Sequence, residues 1–194
     1  MAGLPKKLID YFVKRDIMVK MMKEDIAMFR KKNAPAIEDH INSMENLSAG
    51  QKSDVLDFVA WLTDRGCTPR KDNEQHCWKV PFNGCNICKM WLNPERERVY
   101  ISFFLSYSFD ADADGHDDDF LAAVHRNVQH CHRCHEGCTG PRDVSIFGKA
   151  LKNVCSQHTI NFTLPDKDTF EHIKMLAAYC KTIQPSDISY HAHH

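Results

Sequence analysis

The sequence predicts an α+β protein with an antiparallel sheet of about five strands, helices on one face of that sheet, and an N-terminal helical hairpin before it. Three observations predict this class. Apolar residues recur at helical spacing in several segments, they alternate with polar residues over 99–109, and Asn83-Gly84, a strong hairpin signal, joins two strand-like segments. The resulting order is helix, three strands, helix, two strands, helix, which an antiparallel sheet covered by helices on one face accommodates.

Residues 1–50 form a predicted helical appendage. One helix is expected over residues 4–32, because a stripe from Leu8 to Phe29 recurs at alternating spacings of four and three, with Arg15 as its one basic residue among apolar ones. A second helix is expected after a proline-containing break. Three heptads make a short coiled coil, so two interpretations of the stripe remain open: packing within the chain, and a homodimer seam through residues 8–29.

Residues 51–184 form the predicted α+β domain, and residues 185–194 are a tail whose final HAHH resembles an affinity tag. Helices are expected where apolar residues recur at helical spacing, and strands where residues alternate or turn signals flank an apolar run. The expected elements are, in chain order, a helix at 53–65, a hairpin at 78–92, a strand at 99–109, a helix at 117–130, a hairpin at 143–164 and a final helix that Asp166 caps.

This element order resembles that of the gyrase-inhibitor-like and AraC-effector-binding-like superfamily, whose domains duplicate a strand-helix-hairpin unit. The helix at 53–65 and the hairpin after it would form one unit without its first strand, and the elements between 99 and 164 would form the other. The resemblance covers roughly residues 53 to 183. It implies that a small molecule binds in the groove between the two units, and it supplies no catalytic residue.

Alternation along the strands separates an apolar face of the predicted sheet from a face of mixed polarity. The odd-numbered residues of 99–109 are mostly apolar, so Tyr100 and Phe104 lie on the other face, to which the hairpins contribute Trp91 and Asn161. A surface of aromatic rings, hydroxyls and amides suits a polar-aromatic ligand, although aromatic residues on a solvated sheet also stabilise cross-strand pairs. We expect these four residues to bind an unidentified small molecule.

Nine cysteines, an odd number, cannot all pair within one chain, and three of them lie in the segment HCHRCHEGC at residues 130–138. In a reducing compartment such a cluster is typical of a metal site, and zinc takes thiolate and imidazole ligands in tetrahedral geometry. The predicted zinc ligands are Cys131, Cys134, Cys138 and Cys155, with His130, His135 and His158 as candidate histidine replacements. The other cysteines are interpreted as packing residues, apart from Cys85, which is incidental.

Two other chemistries compete for the same segment. Cys131, Cys134 and His135 match the C-x-x-C-H pattern of c-type haem attachment, but covalent attachment generally takes place on exported proteins, and no export signal is visible. Thiol redox catalysis favours a C-x-x-C pair at a helix N-terminus, where the helix dipole lowers the thiol pKa. Because the predicted helix ends next to Cys131, the dipole would act in the opposite sense there, and zinc is preferred.

The aspartate-rich segment at 110–121 gives a partial calcium-loop pattern. Asp110, Asp112 and Asp114 reproduce the first half of an EF-hand loop. The second half lacks its bidentate Glu, because the twelfth position is Leu121. The preferred interpretation is therefore a solvated loop without calcium, whose last aspartates cap the next helix.

Composition argues against two classes of partner. The formal net charge of −1 and the pI of about 6.8 do not indicate a nucleic-acid-binding protein. The longest charge-free apolar run, 99–109, falls short of the roughly 20 residues that a membrane helix needs. Charged residues interrupt the start of the chain where a secretion signal would be apolar, so a cytoplasmic protein is expected.

The functional hypothesis that follows is a cytoplasmic small-molecule-binding or sensing domain that a structural zinc site stabilises. The alternative is an enzyme that uses the Cys/His cluster for thiol redox or metal-assisted chemistry, and a c-type haem protein is a third interpretation. A structural zinc site is closed, whereas a catalytic one keeps a coordination position for water. No catalytic residue is predicted.

Overall fold

The computed structural model describes residues 37–95, 98–104, 115–132, 140–156 and 159–182. Within these ranges the chain forms helices and antiparallel strands in an α+β arrangement. The helices are α1 (37–43), α2 (Ala49–Asp64), α3 (Asp118–Arg126) and α4 (Lys167–Thr182). The strands are β1 (Arg70–Lys71), β2 (Cys77–Phe82), β3 (Cys85–Asn93), β4 (Arg98–Phe103), β5 (Pro141–Ile146), β6 (Lys149–Cys155) and β7 (Ile160–Thr163).

Five strands form the main sheet in the order β1-β2-β3-β4-β7, and every neighbouring pair is antiparallel. β5 and β6 pair in a second, two-stranded antiparallel sheet. The predicted α+β class and the antiparallel sheet of five strands are therefore confirmed, whereas the first helix of the predicted N-terminal helical hairpin lies outside the described residues. In the described part of the chain, no helix is both long enough and apolar enough to cross a lipid bilayer.

The helices pack on one face of the main sheet and close its hydrophobic core. Cys88, Met90 and Leu92 alternate along β3 on this face, and all three are fully buried. In the same core, the rings of Phe58 from α2 and Phe170 from α4 lie 5.6 Å apart between centroids. Each large apolar side chain removed from water in this way contributes roughly 1.5–3 kcal/mol, so the period-2 pattern of β3 fixes which face the helices cover.

Two consecutive residues with left-handed backbone make each tight hairpin. Asn83 and Gly84, with φ of +47° and +83°, join β2 to β3, as predicted. Phe147 and Gly148, with φ of +47° and +71°, join β5 to β6. Such pairs are typical of type I′ turns, whose twist matches that of the paired strands. The second turn gives a weaker sequence signal because phenylalanine rarely adopts positive φ.

The predicted single hairpin at 143–164 is wrong, because this segment contains parts of three strands. β5 and β6 form their own hairpin, and β7 pairs with β4 in the main sheet. The register places Ile160 opposite Phe103 and Phe162 opposite Ile101. All four side chains are buried, so β7 joins the main sheet because its apolar residues complete the core there.

Helix α3 ends at Arg126 rather than at the predicted residue 130. The following residues, 127–132, are called the bridge segment here because they leave the helix and pair with the β6–β7 region through antiparallel bridges at Val128 and His130. The N–H of Gln129 donates to the carbonyl oxygen of Thr159 at 2.9 Å. Hydrogen bonds to a neighbouring segment thus replace the helical ones, which explains the early end of the helix.

Two strand boundaries differ from expectation. β4 ends at Phe103 rather than at residue 109, and residues 105–114 lie outside the described ranges. The sequence gives no signal for β1, because Arg70-Lys71 is too short and too charged to show alternation. β1 nevertheless pairs with β2, and Lys71 Nζ lies 3.9 Å from the ring centroid of Trp78.

Helix α1 and the residue after it share the core of the sheet. Ile37, Ile41 and Met44 are fully buried and belong to the same hydrophobic cluster as Leu92 of β3. His40 on the same helix lies with Nε2 2.8 Å from the carbonyl oxygen of Leu92. The sheet is therefore tied to α1 by both apolar packing and a hydrogen bond.

Three predictions for the chain ends lie wholly or largely outside the described residues: the helix at 4–32, the homodimer stripe at 8–29, and the tail at 185–194. The division of the chain at residue 50 stays a prediction. Because α1 packs into the core, a truncation that tests the homodimer stripe should stop before residue 37.

We expect Ile41→Ala to lower the free energy of unfolding by about 2–5 kcal/mol, because it removes a fully buried side chain from the core. Asn42→Ala is the matched control, since Asn42 is the next residue and is exposed, and it should change stability by less than about 0.5 kcal/mol. Urea unfolding followed by circular dichroism measures both. Equally small effects would mean that α1 is not part of the cooperative core.

Candidate functional site

The face of the main sheet opposite the helices carries the predicted ligand-binding residues. The register of β3 and β4 places Trp91 directly opposite Tyr100, and Lys89 opposite Ser102. Ser102 is in turn opposite Asn161 of β7. Opposed side chains in an antiparallel pair share a face, with Cβ atoms about 4.5–5.5 Å apart. The structure therefore brings Trp91 and Tyr100 together and puts Asn161 in the neighbouring row.

A cleft with a volume of ≈ 210 Å³ opens beside the Trp91–Tyr100 pair. Its walls combine aromatic, amide, imidazole and guanidinium groups. The lining residues are Gln75, His76, Trp91, Asn93, Arg98 and Tyr100. Trp91 and Tyr100 are half-buried, whereas Arg98 is exposed. Two of the four predicted ligand-binding residues thus line one concave site.

Four charged side chains, Asp72, Glu74, Lys79 and Lys89, form an ion-pair cluster beside the cleft. Lys89 Nζ lies 3.2 Å from Asp72 Oδ2 and 2.5 Å from Glu74 Oε1, and Lys79 Nζ lies 3.7 Å from Asp72 Oδ1. Partial burial alone would lower the pKa of Lys89, but the hydrogen bonds and charges of Glu74 and Asp72 raise it above its ordinary value. Lys89 is therefore a cation at neutral pH.

The same cluster keeps Asp72 ionised. The pKa of Asp72 is lowered mainly because the N–H of Asn73 donates to its Oδ1 at 2.8 Å. Partial burial opposes this effect, while the hydrogen bond from Lys89 and the charges of Lys89 and Lys79 reinforce it. Hydrogen bonds to the ionised form of a carboxyl group stabilise that form, so Asp72 carries its charge well below neutral pH.

The ion-pair cluster positions the indole of Trp91. Trp91 Nε1 donates to Glu74 Oε2 at 3.3 Å, and Lys89 Nζ lies 5.6 Å from the Trp91 ring centroid. The same ammonium group lies 5.7 Å from the ring centroid of Phe104. Both distances fall within about 6 Å, the range of cation–π attraction. Phe104 is therefore linked to the cleft through Lys89 and is not one of its lining residues.

Asn161 belongs to a covered part of the same face. Ser102, its neighbour on β4, is fully buried. The side-chain oxygen of Asn161 is buried too, and it has no hydrogen-bond partner among the described residues. Asn161 is not one of the residues that line the cleft. The four predicted ligand-binding residues therefore divide between the cleft and its surroundings.

His76 contributes an imidazole that neighbouring groups hold in place. Its φ of +56° is left-handed, a conformation that costs a residue other than glycine of the order of 1 kcal/mol or more. Its carbonyl oxygen accepts from the N–H of Leu92 at 2.8 Å, and its ring stacks on His40 with centroids 5.5 Å apart. Nε2 of His76 is buried and has no hydrogen-bond partner in the described ranges.

Sequence reasoning missed four lining residues, and for two of them a signal exists. Asn93 lies two positions after Trp91 on β3, Arg98 lies two positions before Tyr100 on β4, and the register places Asn93 and Arg98 opposite each other. Extending the same period-2 pattern by one step would have found both. Gln75 and His76 precede β2 in a loop, and no periodicity marks them.

The bridge segment brings two predicted zinc ligands together. The N–H of Cys131 donates to the carbonyl oxygen of Asn153, and the N–H of Cys155 donates to that of Gln129, both at 2.8 Å. This pattern sets Gln129 opposite Cys155, so Cys131 lies diagonally from Cys155 on the same face. Both cysteines are buried, with exposed fractions of 8% and 7%. The edge of the β6–β7 region therefore carries two buried sulfurs from segments far apart in sequence.

The other zinc and haem candidates, Cys134, Cys138, His135 and His158, lie outside the described residues. Among residues that the structure describes, no group of three or more Cys, His, Asp or Glu side chains could hold a metal ion. His130 is described and is exposed. Zinc and haem binding both stay predictions.

One premise of the redox comparison is wrong. Cys131 does not lie at a helix end, since α3 ends at Arg126 and Cys131 is in the bridge segment. The helix dipole therefore gives no argument about its thiol. The packing interpretation is confirmed for Cys67, Cys77 and Cys88, which are fully buried. Burial raises the pKa of the Cys77 thiol to about 12, so it is un-ionised at neutral pH.

The candidate calcium ligands Asp110, Asp112 and Asp114 lie outside the described residues. The predicted role of the following aspartates is confirmed. Asp117 caps α3, because its Oδ1 accepts from the N–H of Phe120 at 2.6 Å, and Asp118 occupies the first turn. Carboxylates at this end also interact favourably with the helix dipole.

No protein-family model, curated protein or solved structure matches this chain. A proposal about function therefore rests on the cleft, the ion-pair cluster and the bridge segment themselves.

We expect Asp72→Asn to make stability less sensitive to acid. The pKa of Asp72 is lowered in the folded protein, so its ionised form stabilises the fold above the ordinary carboxyl pKa of about 3.9, and this contribution is lost as the pH falls through the folded-state pKa. Urea unfolding at pH 6 and pH 3 should show a smaller loss in the variant than in the unaltered protein. Asp57→Asn, at an exposed carboxylate of α2, should leave the difference unchanged.

Proposed function

We propose that this protein is a small-molecule-binding or sensing domain, that its ligand occupies the cleft beside Trp91 and Tyr100, and that a structural zinc ion stabilises the fold at the bridge segment. The cytoplasm is the proposed location, because a reducing compartment suits unpaired, clustered cysteines.

The observation that carries the proposal is a cleft whose lining side chains Trp91 and His76 are held in place by neighbouring residues. Ligand sites are concave, present aromatic surface, and add a few placed polar groups. Here Glu74 fixes the Trp91 indole, and the backbone of Leu92 and the ring of His40 fix His76. Groups that are already held in position lose little conformational entropy when a ligand binds, so this arrangement favours affinity.

The position of the cleft also agrees with the resemblance in element order. The cleft draws Trp91 and Asn93 from β3, which ends the first predicted unit, and Arg98 and Tyr100 from β4, which begins the second. In the superfamily that the element order resembles, the small-molecule site lies between the two units. Descent from that superfamily is part of the proposal.

The zinc proposal is supported by the pairing of the bridge segment with β6. Cys131 and Cys155 lie on the same face at diagonal positions, and both are buried. Two buried thiols that approach from different segments provide half of a tetrahedral zinc site. The remaining ligands are proposed to be Cys134 and Cys138, which follow Cys131 closely in the sequence. Such an ion would fasten the segment after α3 to the edge of β6.

A screen of small planar compounds tests the binding proposal. The chain has three tryptophans, so a ¹⁵N-labelled protein gives three indole N–H signals that report on separate places. A ligand in the cleft should shift the Trp91 signal and leave that of Trp61, on α2, unchanged. Ligands that shift Trp61 but never Trp91 would contradict the proposed site.

The matching variants are Tyr100→Ala and Trp61→Phe. We expect Tyr100→Ala to weaken any cleft ligand by about tenfold or more, because it removes a half-buried aromatic wall, and to leave the protein folded. Trp61→Phe should leave affinity unchanged. Titration calorimetry measures the affinities, and circular dichroism verifies folding.

The zinc proposal predicts about one equivalent of zinc in the purified protein and no haem absorbance. Metal binding contributes directly to the folding free energy, so a strong chelator should lower the melting temperature. Cys155→Ser should lower the melting temperature as well and abolish the response to the chelator. Elemental analysis and thermal unfolding with and without chelator measure these effects.

Cys88→Ser is the matched control for this experiment. Cys88 is a fully buried thiol in the core of the main sheet, so its replacement also buries a hydroxyl and destabilises the fold. That variant should keep its zinc and its response to the chelator. A Cys155→Ser variant that retains a full equivalent of zinc would refute the assignment of Cys155 as a ligand.

A further inference from the structure

We infer that the cleft selects a small anion built on a single aromatic ring, with Arg98 as its charge-pairing residue. This inference rests on the proposed binding function and adds the chemical class of the ligand. Three properties of the cleft carry it: its volume, the geometry of its aromatic pair, and the balance of charge around it.

The volume limits the ligand to about one ring and a substituent. A cavity of about 150 Å³ in another protein accommodates benzene. The cleft here has ≈ 210 Å³, so it admits a six-membered ring with one small polar group. Drug-sized ligands occupy pockets of about 300–1,000 Å³, and a fused polycyclic compound would project into solvent.

The aromatic pair suits a flat ring. Trp91 and Tyr100 are directly opposed on adjacent strands, so their side chains rise from the same face about 5 Å apart at Cβ. The indole N–H of Trp91 donates to Glu74, and this hydrogen bond fixes the orientation of the indole ring. Aromatic rings prefer offset-stacked or edge-to-face neighbours, and a rigid aromatic wall offers either contact to a planar ligand.

Charge around the cleft favours an anion. In the ion-pair cluster, the two lysines and the two carboxylates neutralise each other. Arg98 adds a further positive charge, and no carboxylate of a described residue lies within 4.0 Å of its guanidinium group. Among the described residues this guanidinium therefore repels a cationic ligand, although the aromatic walls alone would suit one.

Arg98 has the geometry to pair with a carboxylate or phosphate. Its Nη1 donates to the hydroxyl oxygen of Tyr100 at 2.9 Å, and its Cζ lies 5.8 Å from the Tyr100 ring centroid. A guanidinium group has five N–H donors in a planar fork, so this bond leaves donors for two parallel bonds to an anion. Tyr100 thereby holds the cation at the edge of the cleft.

His76 lines the cleft as well, and we include it in the inference as a second polar contact. Its Nε2 is buried and lacks a partner among the described residues, and its ring cannot turn freely because it stacks on His40. A buried nitrogen without a hydrogen bond is costly, and a ligand oxygen or N–H beside it would remove that cost. A ring substituent directed toward His76 would therefore bind better than the unsubstituted ring.

Three probes of similar size separate the contributions of ring and charge. Benzoate carries both the ring and the anion, benzamide keeps the ring without the charge, and cyclohexanecarboxylate keeps the charge without the aromatic ring. Each is titrated into the full-length protein while the Trp91 and Trp61 indole N–H signals are recorded. We expect benzoate to shift the Trp91 signal with at least about tenfold higher affinity than either of the others, since a charge-assisted hydrogen bond or an aromatic contact is lost in each case.

Arg98→Gln and Arg65→Gln are the matched variants. Both arginines are exposed and contact an aromatic ring, since Arg65 Cζ lies 4.2 Å from the Trp61 ring centroid, but Arg65 does not line the cleft. Arg98→Gln should weaken benzoate by about tenfold and leave benzamide unchanged. Arg65→Gln should change neither affinity.

The outcomes distinguish the ligand class from the proposed function. If benzoate and benzamide bind with equal affinity and Arg98→Gln changes neither affinity, the inference that the ligand is an anion is refuted. If cyclohexanecarboxylate and benzoate bind with equal affinity, the inference that the ligand contains an aromatic ring is refuted. If no probe shifts the Trp91 signal but larger compounds of the screen do, the ligand class is wrong and the binding site stands. If neither the probes nor the screen shift it, both are wrong.

Discussion

The pairing of β3 with β4 is the constraint on which both the core and the cleft depend. The register that sets Met90 opposite Ile101 places apolar side chains under the helices. The same register sets Trp91 opposite Tyr100 on the other face. A shift of one residue would exchange the faces of β3, expose its core residues and separate the aromatic pair. Burial of the core therefore holds the two aromatic residues opposite each other, and the hydrogen bond from Trp91 to Glu74 then orients the indole.

Short-range sequence patterns predicted most of the main sheet. The predictions were wrong where contacts between segments distant in the sequence determine the local structure. Alternation identified the buried face of β4, and Asn83-Gly84 identified the first hairpin. The end of α3 was not predictable, because the bridge segment leaves the helix only when its N–H groups meet carbonyls of the β6–β7 region. In the cleft, the alternation of residues along the strands identified Trp91 and Tyr100. It did not identify His76, because the position of that side chain depends on its own left-handed backbone and on stacking against His40 of α1.

The bridge segment and the cleft depend on different strands: the bridge segment pairs with β6 and β7, and the cleft is lined by β3, β4 and the loop before β2. The cleft residues come from the β1–β4 side, where short loops and ion pairs hold them. The two described zinc-ligand candidates lie at the β6–β7 side, where backbone hydrogen bonds join segments more than twenty residues apart in sequence. Cross-linking by a metal is most effective where the chain between the joined points is long, because it removes the most conformational freedom from the unfolded state. The proposed zinc site and the proposed ligand site therefore draw on different segments of the chain.

Lys89 largely determines the charge of the surface beside the cleft. One ammonium group compensates two carboxylates, Asp72 and Glu74, which lie on the rim of an aromatic depression. Replacing that single lysine by a neutral residue would leave two negative charges against the more distant Lys79 and Arg98, and the electrostatic potential over the depression would shift toward negative. Aromatic walls beside carboxylates attract organic cations. A single substitution at position 89 would therefore change the charge that this surface presents without removing a buried residue of the core.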